Sequence, residues 1–175
     1  MRLFDPLVSF DLIDIDEANR ALVEWGHRMG PIIRPIGLLV ATGLRHDGRL
    51  VAITVAADLI RESCAGKDRS EAIELARLCA SRSDLCRAVL RLWREFYFPA
   101  LRQQWALSYQ DEGLHTGNTY RWDGWVRLAR SRSGTDPRGN RRGRNKTIWG
   151  WHADPAVRAA AKMVDRVAAV RSLEP

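Results

Sequence analysis

With 175 residues, 46% of them hydrophobic and 28% charged, the chain is long enough to bury one proper core and too apolar to be disordered. No apolar run nears the length of ~20 residues that crosses a bilayer, and Met1-Arg2-Leu3-Phe4-Asp5-Pro6 lacks signal-peptide architecture. Cys64, Cys79 and Cys86 are odd in number and form no CxxC pair, so they read as reduced thiols, with a cytoplasmic location expected.

In chain order, Val8 to Ile13 predicts a first strand, and Asp14-x-x-Glu17 is a capping-box signal for a helix. Ala18, Ala21, Leu22 and Trp25 share one face of that helix, and Gly26 stops it. His27 follows in a break. Ile36 to Leu44 and Leu50 to Ala57 are β-rich runs around Asp47-Gly48, a two-residue hairpin signal. Arg61 to Ser70 reads as a loop. Ala72 to Ala80 reads as a central strand. Ser81-Arg82-Ser83-Asp84 opens a helix in which Leu85, Val89, Leu92/Trp93 and Phe96 recur at helical spacing until Pro99. A strand entering a helix there, with hydroxyls and Arg82 at the junction, is a natural anion site, although helix capping alone explains the same residues.

Trp105 to Tyr109 predicts a strand and His115 to Trp122 a short helix. Trp125 to Ala129 and Thr147 to Trp151 predict two more strands. Asp154-Pro155 begins a terminal amphipathic helix through Val157, Ala161, Val164 and Ala168, suited to packing on its own domain or on a second copy of the chain. The expected organisation is a domain over 1–153, with a basic insertion at 127–146, and a helix over 154–175.

Most side chains able to do chemistry fall in the stretch from Ser108 to Trp125: Ser108, Asp111, Glu112, His115 and Tyr120 among them. The charge is equally concentrated. Arg127, Arg130, Arg132, Arg138, Arg141, Arg142, Arg144 and Lys146 stand against Asp136 alone, so this segment carries +7 and the remaining residues sum to zero. Arginine outnumbers lysine here, and its planar fork matches phosphate. A solvated loop and a phosphate-rich partner, nucleic acid or a nucleotide-bearing cofactor, both fit the pattern.

The order strand, helix, hairpin, strand, helix, strand, short helix, strand, strand is similar to the GNAT acyltransferase fold. Glu74-Leu75-Ala76-Arg77-Leu78-Cys79-Ala80 resembles its fourth strand, and Ser81 to Arg87 the start of its pyrophosphate-binding helix. Ser108 through Tyr120 to Gly124-Trp125 resembles the fifth strand, the next helix and its Gly-Trp end. Within that superfamily the chain most resembles the Mom-type phage proteins, which convert adenine in DNA to a carbamoylmethylated form.

The resemblance implies an α/β (α+β) fold, with a mixed, mostly antiparallel central sheet flanked by helices and an additional C-terminal helix. It implies acetyl-CoA or a related acyl-CoA as cofactor, its pantetheine arm held by backbone of Leu78, Cys79 and Ala80, its phosphates by Arg82, Ser83 and Arg87. The usual Q/R-x-x-G-x-G/A phosphate loop is replaced by Ser81-Arg82-Ser83-Asp84-Leu85-Cys86-Arg87. Tyr120 falls where the family's general acid protonates a leaving thiolate, a role suited to a phenol of pKa ~10. Asp111 and His115, four apart on one helical turn if the helix begins early, would act together on the substrate amine; otherwise Asp111 caps the helix and His115 lines the cleft. Ser108 would orient substrate or bind the pantetheine arm. DNA, held by the basic segment, is the expected partner. Trp122 and Trp125 are candidates to stack on a base. A metal is left open, with His27 and His115 as conceivable ligands but no ligand-spacing motif. A conventional N-acetyltransferase and a catalytically idle nucleic-acid-binding module are the alternatives.

Overall fold

The computed structural model describes residues 7–33, 37–131 and 145–161. The chain divides into two compact units, one comprising Met1–Ile60 and Ile73–Arg102, the other Arg61–Ala72 and Gln103–Pro175.

The first unit contains β1 (Val8–Ile13), α1 (Ile15–Glu24), β2 (Leu39–His46), β3 (Arg49–Asp58), β6 (Ala72–Ala80) and α2 (Leu85–Leu92). Strands β4 (Ser63–Cys64) and β5 (Lys67–Asp68) precede β6 in sequence and belong to the second unit. Strands β1, β2, β3 and β6 pair in that order, every pair antiparallel. The hairpin between β2 and β3 turns at Asp47 and Gly48, with φ of 49° and 71°. Two successive positive φ values give the turn whose twist matches the strands, which is why Asp-Gly is legible there.

Helix α1 buries Ala18, Ala21 and Leu22 against Ala41, Ile53, Val55 and Cys79. On the opposite face, Val89 of α2 meets Leu44 and Ala52, with Leu78, Ala80, Leu85 and Leu92 packed around them. Between the layers the hydroxyls of Thr42 and Thr54, both fully buried, satisfy each other at 2.6 Å. Strand β6 carries a bulge at Ala76, because Val55 pairs with Arg77 and Ala56 with Leu75. A bulge of this kind re-aims the strand and breaks its ladder locally.

The second unit has the β4–β5 hairpin, β7 (Trp105–Asp111), α3 (Asn118–Trp122), β8 (Val126–Ser131) and β9 (Lys146–His152). Here β9 lies between β7 and β8, antiparallel to both. That position explains why Thr147 to His152 are all buried, on both faces of the strand. The terminal helix starts as expected: the Ala156 N–H donates to Asp154 Oδ1 at 2.7 Å, and the Arg158 N–H to the Asp154 carbonyl at 3.2 Å. Val164 and Ala168 lie outside the described residues. Among the described residues no helix is long and apolar enough to cross a membrane.

Several local expectations are corrected. The capping box is not formed: Asp14 makes no side-chain cap bond, and Glu17 pairs with Arg45 of β2 at 2.5 Å, a tertiary partner in place of the local one. The 61–70 stretch contains the β4–β5 hairpin, turning on Ala65 and Gly66 at positive φ; Ala-Gly is a weak turn signal, so periodicity missed it. Helix α2 continues into a wider π turn over Trp93–Tyr97 and a 3-10 turn over Phe98–Ala100. The π turn shifts the register, so Phe96 is 67% exposed while Trp93 and Phe98 are buried. The short helix starts at Asn118, not at His115.

Gly150 gives a sharp packing test. A Cβ there would run into the Leu128 side chain, on the bulged strand opposite, and come within 3.2 Å of the Trp105 ring. Gly150→Ala is expected to destabilise the protein by about 1–3 kcal/mol through overpacking, and Leu128→Ala in the same chain to relieve part of that loss. Urea denaturation of the two single variants and the double checks it.

Candidate functional site

Alternation along β7 puts Ala106, Ser108 and Gln110 on one face of the strand and Trp105, Leu107 and Tyr109 on the other. The register then sets Ser108 opposite Trp149 and Gln110 opposite Thr147 on β9. Ser108, Gln110, Trp149 and Thr147 are therefore neighbours on one face, and each is buried.

The chain leaves β7 at Asp111, turns over 112–117 and returns as α3 across that face. The turn is built by Asp111, whose Oδ1 accepts the Gly113 N–H at 3.0 Å and whose carbonyl accepts the Leu114 and His115 N–H groups. At Gly117 the backbone passes so close to the strand face that a Cβ would lie 2.5 Å from Gln110 Oε1 and 2.8 Å from Trp149 Cζ2; its φ is also +75°. Glycine is the residue that satisfies both demands.

Helix α3 then delivers Tyr120 onto Trp149, with ring centroids 5.7 Å apart and planes at 17°. The edge of the Tyr120 ring meets Trp125 at 5.4 Å and 68°. Its hydroxyl shares a hydrogen bond with Ser108 Oγ at 2.8 Å. Trp125 is 3% exposed and its indole N–H donates to the buried Asp123 at 3.1 Å. Trp125 is thus core and cannot stack on a base, whereas Trp122 is 61% exposed. Among the expected catalytic residues, Ser108 and Tyr120 are brought together. Asp111 and His115 are not in one helix, because Asp111 ends β7 and α3 begins at Asn118; a single turn, closed by the His115 N–H on the Asp111 carbonyl, links them, the Asp111 carboxylate serves that turn, and His115 is exposed. Gln110 was missed by sequence reasoning: a lone glutamine in a strand carries no motif, and only its register with Trp149 reveals it.

On the same strand face, Glu112 receives Arg130 Nε on both carboxylate oxygens at 3.0 Å, a further bond from Arg130 Nη2, and the Thr147 hydroxyl at 2.8 Å. These donors, Arg130 first, hold the Glu112 carboxyl below the usual carboxylate range. On the opposite face Tyr109 Oη lies 2.8 Å from Cys64 Sγ, and Lys146 Nζ sits 5.6 Å from the Tyr109 ring centroid. Of the eight basic residues between 127 and 146, then, Arg130 is engaged by Glu112, Lys146 lies over an aromatic ring and Arg127 is exposed. Arg132, Arg138, Arg141, Arg142 and Arg144 lie outside the described residues.

In the first unit, the junction of β6 and α2 is occupied differently from an amide phosphate cradle. The N–H groups of Leu85 and Cys86 bond back to the Arg82 and Ser83 carbonyls at 3.1 and 3.3 Å. Ser81 donates both its N–H and its hydroxyl to the Val51 carbonyl. Arg82 forks onto Asp84, 72% and 60% exposed respectively, and holds that carboxyl below its ordinary range. Arg87 is exposed. The Cys79 side chain packs under α1, and Leu78 and Ala80 face α2, so these side chains are committed to packing, and one edge of their backbone pairs with β3. Burial, then the neighbouring Cys79 and Asp84, pushes the Cys86 thiol up to about 11. Among the described residues no group of three His, Cys, Asp or Glu side chains is placed to hold a metal ion.

Neither the protein-family models nor the curated proteins contain a sequence match to this chain. Solved structures do match. NAA60 of Arabidopsis thaliana in complex with acetyl-CoA superposes with a TM-score of 0.57 at 10% identity, over 83% of this chain and 98% of its own. The ribosomal-protein-S18-alanine N-acetyltransferase of Escherichia coli gives 0.58 at 12% identity, over 83% and 93%. The N-acetyltransferase PseH of Campylobacter jejuni gives 0.54 at 8% identity, over 85% and 100%. The fold is that of the GNAT acetyltransferases. The GNAT fold expected from the element order is therefore present, while none of these structures points to Mom-type DNA modification.

Glu112 supplies a pH test within this GNAT-fold chain. Its folded-state pKa is depressed, so its contribution to stability is full above the ordinary carboxylate value and is lost as pH falls through the lower folded value. Wild type is expected to be modestly more stable than Glu112→Gln at pH 7, the gap closing only well into the acid range. Chemical denaturation of both proteins from pH 7 to 3 measures it; a constant gap contradicts it.

Proposed function

We propose that this protein is an acyl-CoA-dependent N-acyltransferase that moves an acetyl or related acyl group onto the amine of a small molecule or protein. The observation that carries the reading is the Tyr120 hydroxyl, bonded to Ser108 at 2.8 Å on a ring that packs against Trp149 and Trp125, in a chain with the GNAT fold.

The residues present fit acyl-CoA through side-chain charge and not through backbone amides. Arg82 and Arg87 are exposed at the positive end of α2, where a diphosphate is favoured. The Arg82–Asp84 pair is solvent-exposed and therefore weak, so a diphosphate can compete for that guanidinium. Ser83 adds a hydroxyl. The pantetheine arm is assigned to the backbone of Leu78, Cys79 and Ala80, the role that the GNAT resemblance implies for this strand. When bound, acetyl-CoA supplies an acyl group activated as a thioester. The chain's own part is positional and protonic, each unit taken by itself: in the first, Arg82 and Arg87 are the groups suited to phosphates; in the second, Tyr120 carries at Oη a proton suited to a leaving thiolate. Ser108 keeps that hydroxyl in one orientation, and the indoles hold the ring that carries it. His115, exposed beside the turn, is the candidate to receive the amine's proton.

A second reading is supported by the segment's concentrated charge: a Mom-like protein acting on the exocyclic amine of adenine in DNA, with Arg127 and the arginines from Arg132 to Arg144 on the phosphate backbone. Such a base must first leave the duplex.

One assay separates the two. Purified protein with acetyl-CoA is offered a panel of small amines, peptide N-termini and duplex DNA, and release of the CoA thiol is followed. Amine- or peptide-dependent release above background hydrolysis is expected. Release with DNA alone, together with a new deoxyadenosine species by mass spectrometry of digested DNA, would move the assignment to the second reading. No release with any acceptor would defeat both.

A further inference from the structure

We propose that Gln110 is a positioning residue for the Tyr120 hydroxyl, acting through the indole of Trp149 and through the turn that carries α3; the proposal rests on the acyl-transfer reading above. Gln110 is 6% exposed, and both ends of its amide are used. Oε1 accepts the Trp149 indole N–H at 2.7 Å, and Nε2 donates to the His115 carbonyl at 2.5 Å. An indole N–H can only donate and a carbonyl can only accept, so the two partners together fix which way the amide points. No other common side chain of this length supplies both functions. Glutamate lacks the donor, and leucine or methionine lacks both.

The consequence reaches Tyr120 by two routes. One is the Trp149 ring, pinned in its plane by the bond to Gln110, on whose face Tyr120 stacks at 17°. The other is the turn. The bond to the His115 carbonyl holds the chain just before Gly117, which rests directly against Gln110 Oε1 and Trp149. Gly117 is the residue that leads into α3, so the height of α3 above the strand face is set at this contact. Tyr120 lies on α3 and Ser108 lies two residues before Gln110 on the same face of β7. The separation of their hydroxyls is thus the difference between a distance fixed by the strand and one fixed by Gln110. Gln110 itself carries no proton of suitable acidity for the reaction and is not assigned a chemical step.

The test is a double-mutant cycle on the full-length protein. Gln110→Leu removes both bonds; Trp149→Phe keeps a ring under Tyr120 but removes the indole N–H. If Gln110 acts through Trp149, kcat for acyl transfer falls about 10- to 100-fold in each single variant, the size expected of a misplaced group. KM for acetyl-CoA stays within about twofold of wild type in each case, a split that a merely structural loss does not produce. The double variant is then no worse than the worse single. Wild-type kcat in a folded Gln110→Leu protein overturns the proposal, as do losses confined to KM or losses that multiply in the double variant. Failure of the acyl-transfer reading is visible separately, as wild-type protein that releases no CoA with any acceptor, and the proposal falls with it.

Discussion

The indole N–H of Trp149 is a strong donor buried at 3% exposure, and its bond to Gln110 is what the second unit is arranged around. A buried donor left unpaired costs about 1–3 kcal/mol, so the strand must present an acceptor directly beside it. The register of β7 against β9 does so. Once the amide is committed to the indole at one end, its other end ties down the 112–117 turn, Gly117 closes against both groups, and α3 has one place to lie. Tyr120 and Ser108 meet as a result of that sequence of constraints. The two hydroxyls are separated by 12 positions in the chain, yet their distance follows from hydrogen bonds that neither of them makes.

Charge is organised locally in the same way. Glu112 gathers Arg130 and Thr147, and so fastens the base of β8 to β9 at the point where the basic segment departs. Of the cations on the folded strands, Arg130 is engaged by the protein's own carboxylate and Lys146 lies over the Tyr109 ring, while Arg127 is exposed. At the Arg82–Asp84 ion pair both partners are largely solvated, so the contact is weak and a stronger anion can compete for the guanidinium.

Much of the fold was legible because it rests on short-range rules. Strand Val8–Ile13 and the Asp47-Gly48 hairpin, the latter from turn chemistry, agree with the structure. The span of β6 agrees too, although Ile73 is its one β-branched residue and its local signals are mixed; the helix opening behind it at Ser81–Asp84 is what marks it as a strand. The features that escaped notice depend on partners distant in sequence. Glu17 pairs with Arg45 in place of the local cap; Phe96 was displaced by a π turn that no 3.6-residue pattern encodes; the Ala65-Gly66 turn lacked a side-chain signature. At the site, Tyr120 and Ser108 were visible as chemistry-bearing residues, but their partnership was not, and Gln110 gave no signal at all. Pairing on a sheet face becomes readable only once the register is known. Trp125 shows the converse: a candidate to stack on a base, it is core, as tryptophans beside a glycine more often are, and its indole N–H is spent on the buried Asp123.

The central claim is that the phenol of Tyr120 does chemical work, and Tyr120→Phe removes one oxygen while keeping both ring contacts. Steady-state kinetics of that variant with acetyl-CoA and a competent amine acceptor test it most directly. A fall in kcat of about 10²- to 10⁴-fold with KM for acetyl-CoA unchanged is the predicted result for loss of a general acid. Wild-type kcat in the phenylalanine variant would contradict it, and would leave the Ser108–Tyr120 pair as a structural bond alone.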